Sequence, residues 1–107
     1  MRTIEYTYLL SPEAIDRLRV RARRVGLHIV AFVVQYEAHL EGAWRPIVRF
    51  DTAHGFAHRD VMHPDGRVDK EPLPWETYNA ALSYATQDLK AHWWHYRQRY
   101  EKELHGV

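Results

Sequence analysis

Residues 11–26 read SPEAIDRLRVRARRVG, and the element assigned to this stretch sets the topology of everything that follows it. Its ends carry helix signals. Ser11 stands as an N-cap, Pro12 at the first helical position, Glu13 in the first turn and Gly26 just past the end. At a helical period Ile15, Leu18, Ala22 and Val25 form one apolar stripe. Arg17, Arg21 and Arg24 run along one side of it, and Arg19 with Arg23 along the other. The spacing therefore predicts a helix, and its arginine rows are candidate contacts for nucleic-acid phosphates. The competing role for such residues is structural, as solvated flanks whose long stems cover apolar surface.

Outward from this stretch the periods change. Upstream, Ile4, Tyr6 and Tyr8 alternate with Thr3, Glu5 and Thr7, the period of a strand. Downstream, Val30, Phe32, Val34, Tyr36, Ala38 and Leu40 occupy alternate positions, and Gln35, Glu37 and His39 lie between the later ones. A three-residue loop over Glu41–Ala43 pairs Leu40 with Trp44, Ala38 with Pro46, Tyr36 with Val48 and Val34 with Phe50, which keeps apolar residues on one face. Pro46 is expected to face outward or sit at a bulge. A second tight turn at His54-Gly55 sets Val48 opposite Val61, Phe50 opposite Arg59, Arg49 opposite Asp60 and Asp51 opposite His58. Arg59 is then an arginine on the apolar side and needs a buried partner. HPDGR at 63–67 turns the chain once more, and VDKEPLP reads as an irregular connection.

The last element is one amphipathic helix over about residues 76–103, with Tyr78, Leu82, Ala85, Leu89, Trp93, Tyr96, Tyr100 and Leu104 at intervals of three or four. At 1.5 Å per residue it is roughly 40 Å long. That exceeds the breadth of a four-stranded sheet, so its aromatic C-terminal half is expected to overhang and pair two copies as a homodimer. The fold expected is α+β in the order β-α-β-β-β-α, a single domain over residues 1–107. An antiparallel sheet carries both helices on its apolar face and leaves a polar face open.

Composition limits the chemistry. The chain has no cysteine, so disulfides, thiolate nucleophiles and cysteine-ligated zinc are excluded. Net charge is +1, with eight basic and five acidic residues in the first fifty positions against seven and nine in the rest. No apolar run approaches the ~20 residues that span a bilayer, and no signal peptide is read, so a cytoplasmic protein away from membranes is expected.

On the registers above, the polar face displays Gln35, Glu37, His39, Arg45, Arg49, Asp51, His58 and Asp60, with His54 at the adjoining turn. A histidine opposite an aspartate has its tautomer set and its basicity raised, as a general acid or base near neutral pH requires. Arginine beside it suits a phosphate. His58 is thus the candidate proton-transfer group, Asp51 its orienting partner, Arg49 a phosphate ligand and His54 a second proton-transfer candidate. Arg17, Arg21, Arg24 and Arg45 are the candidate nucleic-acid contacts. His54, His58 and His63 with Asp51 and Asp60 also offer metal ligands, but they follow no HExxH spacing and His63 falls on the opposite strand face. The reading accordingly invokes no metal and no cofactor. Its competitor is a non-catalytic dimeric α+β module that binds a ligand or protein through the same face, because antiparallel sheets commonly leave one face solvated and decorate it with charge pairs.

The segment VVQYEAHLEGAWRPIVRFDTAHGFAHRD, at residues 33–60, resembles uncharacterised small prokaryotic proteins with an R(F/Y)D(T/N)AHG core, here Arg49, Phe50, Asp51, Ala53, His54 and Gly55 followed by His58. More distantly it is similar to TumE-type toxins of toxin-antitoxin pairs. The opening YTYLLSPEAIDRLRVRA also has a topological likeness to RelE-type toxins. The His/Asp/Arg cluster suits metal-independent, ribonuclease-like cleavage of RNA, and these resemblances imply an RNA-acting toxin with an antitoxin protein as partner.

Overall fold

The computed structural model describes residues 1–106. The protein is α+β: one antiparallel sheet of six strands, ordered as in the sequence, and one long C-terminal helix. The strands are β1 (Arg2–Leu9), β2 (Asp16–Val25), β3 (His28–Leu40), β4 (Ala43–Asp51), β5 (His58–Met62) and β6 (Val68–Pro72), and the helix is α1 (Tyr78–Leu104). Two parts of the expected β-α-β-β-β-α order are therefore corrected. The arginine-rich first helix is strand β2, and the connection taken as irregular contains β6.

The reason lies in which period the burial follows. Along β2 Leu18, Val20 and Ala22 are buried, whereas Arg19, Arg21 and Arg23 between them are exposed. Arginine alternating with an apolar residue is a period of two, and it satisfies a sheet with one covered face. The helix-start signals serve a turn instead. Ala14 N–H donates to Ser11 O at 3.0 Å and Ile15 N–H to Ser11 Oγ at 3.2 Å. Ala14 takes φ +57°, and the chain reverses into β2. The β1–β2 ladder then runs from Arg2 opposite Arg24 to Leu9 opposite Arg17.

The β3–β4 hairpin turns on two residues, Glu41 and Gly42, both at positive φ (+52° and +79°). Leu40 faces Ala43 and Ala38 faces Arg45, not the expected Trp44 and Pro46. A register shift then corrects the face. Glu37 pairs with Pro46 and Tyr36 with Val48, so Ile47 is the extra residue of a bulge and Pro46 borders it. Beyond the bulge the expected pairs Tyr36–Val48 and Val34–Phe50 hold. The β4–β5 ladder holds throughout: Val48–Val61, Arg49–Asp60, Phe50–Arg59 and Asp51–His58.

Thr77 caps α1, its hydroxyl accepting from Ala80 N–H at 3.1 Å. With 27 residues the helix is about 40 Å long. It lies along the strands and not across them. Near its start Asn79 bonds the Leu27 carbonyl and the Ile29 amide at 2.9 Å each, and Tyr78 meets Phe32 edge-on. Midway Trp93 packs on Tyr36, and near its end Glu103 reaches His63. β3 has 13 residues, about 43 Å at 3.3 Å each, so helix and strand match in length. The expected overhang is absent. Trp93 and Tyr96 are packed against the core and Trp94, 47% exposed, is the large aromatic of this segment turned outward. The stripe that suggested a helix-mediated homodimer is thus occupied by the chain's own sheet.

Two polar networks tie the helix to the sheet. Asp16, 1% exposed, accepts from the Tyr36 hydroxyl at 2.5 Å and from Arg97 at 2.8 Å. Arg59, the expected misfit, donates to Glu71 at 2.6 Å and to the Tyr96 hydroxyl at 3.1 Å, and Tyr96 in turn donates to Asp88 at 2.6 Å. A third tie is His63, which lies on the helix side as the sequence suggested. Its Nε2 meets Asp69 at 2.6 Å and its Nδ1 meets Glu103 at 2.7 Å. Hydrogen bonds to Asp69 and then to Glu103 raise its pKa above the ordinary histidine value.

A raised folded-state value makes this clamp's stability fully present below about pH 6.5, and loses it as pH climbs through the raised value. His63→Gln should therefore lower the urea midpoint at pH 6 and do so progressively less towards pH 9. An equal loss at both pH values would show that the ring stabilises by packing and not as a cation.

Candidate functional site

The sheet face away from α1 is assembled by the ladders themselves. One rung carries Thr7, Arg19, Gln35, Arg49, Asp60 and Lys70 from β1 to β6, and the next carries Glu5, Arg21, Val33, Asp51 and His58. Because β2 is a strand, its odd-numbered arginines join this face, so Arg17, Arg19, Arg21 and Arg23 stand in a row, and Arg49 shares the face from β4 with β3 between. A concavity of about 590 Å³ opens here, walled by Glu5, Thr7, Arg19, Arg21, Gln35, Arg49 and Asp51.

The arginines are not equivalent. Arg17 donates to Glu37 at 2.8 Å and lies over the Trp44 ring at 3.8 Å, so it is already engaged. Arg19 is 3.8 Å from the same carboxylate with its side chain 59% exposed. Arg49 donates through Nε to Gln35 at 2.8 Å, which leaves its terminal nitrogens free of that bond. Among the described residues Arg21 and Arg23 have no ion pair, and both are exposed. Arg24 lies past the register shift at Arg23/Arg24. Arg45 pairs with Ala38, on the helix side, and donates to the Leu40 carbonyl at 3.1 Å. Of the four arginines expected to contact nucleic acid only Arg17 and Arg21 reach the open face, where Arg19 and Arg23 also stand. The alternation of β2 carries that signal in the sequence.

Farther along the same rungs, on β4 to β6, sits a compact ionisable cluster. His58 Nε2 lies 3.0 Å from Asp51 Oδ1 and 3.6 Å from Asp60 Oδ2. Lys70 Nζ lies 3.4 Å from the same nitrogen and 3.2 Å from Asp60 Oδ1. Asp51 is held by the turn that follows it, accepting from Ala53 N–H at 3.0 Å, and Gly55 at φ +82° lets that loop close. The expected Asp51–His58 partnership is thus present. Its setting differs from that of an exposed catalytic pair, because His58 is 1% exposed, with His54 and Phe56 rings 5.6 and 5.5 Å from it centre to centre. His54 itself is exposed. Lys70, absent from the sequence reading, enters because β6 is a strand in register with β5.

The comparisons place the chain at family level. A family model described as Domain of unknown function (DUF7718) matches residues 1–106. The chain belongs to this family. No curated protein and no solved structure matches it. No helix among the described residues is long and apolar enough to cross a membrane.

Proposed function

We propose that this domain binds RNA through the open face of its sheet, with Arg19, Arg21, Arg23 and Arg49 gripping phosphates. The observation that carries the reading is the arginine row itself. Three guanidinium groups of β2 and one of β4 share one face, three of the four without an ion pair among the described residues, around a concavity of about 590 Å³. Guanidinium forks match phosphate oxygens in pairs, and strand spacing sets them at intervals that an extended single strand can follow. The sequence resemblance of residues 33–60 to toxins of toxin-antitoxin pairs implies the same ligand.

The burial of His58 favours binding over cleavage at that ring. A proton-transfer group has to meet its substrate within hydrogen-bond reach. Within a ribonuclease reading the ring that meets solvent is His54, and His58 with Asp51 positions the loop carrying it. Growth arrest on expression, relieved by His54→Ala, is the outcome that reading requires.

Binding is tested by fluorescence anisotropy with a labelled single-stranded RNA at several salt concentrations. Each phosphate contact contributes about 0.7 to the slope of log affinity against log salt for single strands. Arg21→Ala should reduce that slope by roughly this amount and weaken binding several-fold at low salt, while Arg45→Ala should leave both unchanged. Absence of binding at micromolar protein in low salt, or equal effects of the two variants, would sink the proposal.

A further inference from the structure

We propose that Asp51, His58 and Asp60 form a three-ligand site for a divalent transition-metal ion, with Zn²⁺ the best fit, and that Lys70 Nζ is the cation this ion displaces. One ligand atom from each residue converges, all of them within 4.8 Å of one another. The separations from His58 suit zinc. Ligands about 2.0–2.1 Å from a tetrahedral zinc lie roughly 3.3 Å apart, and the His58 Nε2 distances of 3.0 and 3.6 Å bracket that value. One imidazole and two carboxylates is a donor set zinc accepts, leaving a fourth position open.

The cluster also shows unmet demand for a cation. Asp60 is 6% exposed, and its buried Oδ1 receives no hydrogen bond. Its charged neighbour is Lys70 Nζ at 3.2 Å, an ion-pair contact without hydrogen-bond geometry. His58 has an acceptor at each ring nitrogen, Phe56 O 3.3 Å from Nδ1 and Asp51 Oδ1 3.0 Å from Nε2. A ring that donates Nδ1–H to Phe56 O presents the Nε2 lone pair to the carboxylates, and a metal at Nε2 satisfies all three groups. A backbone carbonyl fixing the distal nitrogen is the usual support of a metal-bound histidine.

An entry path exists on the Lys70 side. That side chain is 45% exposed at the sheet edge, so it can leave Asp60 and His58 without disturbing the core. Asp51 also walls the arginine-lined concavity, so a metal there would border the proposed phosphate-binding face.

The test is a calorimetric titration of the metal-free 107-residue chain with Zn²⁺ at pH 7.5, without RNA, so that its outcome is separate from that of the RNA reading. One equivalent should bind. Lys70→Ala should bind several-fold more tightly because the competing ammonium is gone, and His58→Gln at least tenfold more weakly. Because replacing the buried His58 also perturbs the core, nitrogen-edited NMR of the wild-type imidazoles supplies a second readout, in which stoichiometric Zn²⁺ should shift His58 Nε2. An unshifted His58 signal, an affinity unchanged in Lys70→Ala, or full binding by a folded His58→Gln would each overturn the proposal and assign any bound zinc to surface histidines.

Discussion

Val20→Asp is expected to unfold the protein or to cost more than about 4 kcal/mol, while Val25→Ala leaves stability within about 0.5 kcal/mol. Val20 is 3% exposed, opposite Val34 on β3 and Tyr6 on β1, on the face that α1 covers. A carboxylate there loses its water without gaining a partner. Val25 is 51% exposed at the end of β2 and loses little when shortened. A helix over residues 11–26 reverses the ranking, because Val25 lies on its apolar stripe and Val20 among its arginines. Urea denaturation of the two variants therefore tests the strand assignment directly, and a tolerant Val20→Asp would refute it.

Asp16→Ala should destabilise by about 3–5 kcal/mol, the usual cost of removing one partner from a buried ion pair. Its carboxylate accepts from both the Tyr36 hydroxyl and the Arg97 guanidinium, and its side chain is 2% exposed against 18% for Arg97. Burial, and then the hydrogen bond to Asp16, hold the Tyr36 phenol well above its ordinary pKa, so it remains a donor across the working pH range. Without Asp16 the hydroxyl loses its acceptor and Arg97 keeps Glu101 alone, at 2.7 Å. Adding Arg97→Leu to Asp16→Ala should recover part of the loss, since the stranded charge is then removed as well. A single-variant cost below about 1 kcal/mol would mean that water replaces the carboxylate.

Both results bear on where the sequence was misleading. Ser11, Pro12 and Glu13 are equally good at opening a helix or closing a turn, since each signal concerns one local hydrogen bond or one dihedral angle. Five arginines in eight positions supplied polar residues for either period. What selects the strand is partners: Leu18, Val20 and Ala22 meet Tyr36, Val34 and Phe32 across a ladder, and no local window contains those residues. The β3–β4 loop failed for a related reason. A bulge at Ile47 restores the facing that a two-residue turn would otherwise lose, whereas strict alternation without a bulge favours the three-residue loop.

Other features were legible from the chain alone. The Asp51–His58, Arg49–Asp60 and Phe50–Arg59 pairs follow from strict alternation either side of one turn, because register leaves a single choice once one face has to be apolar. The same arithmetic marked Arg59 as needing a buried partner, and the helix from Tyr78 follows from its unbroken three-four spacing. The depth at which His58 sits, the arrival of Lys70 beside it, and the sharing of one face by Arg19, Arg21, Arg23 and Arg49 were decided by the tertiary structure. Each depends on how strands far apart in sequence stack side by side, and hydrophobic periodicity reports which face a residue takes, not what lies next to it there.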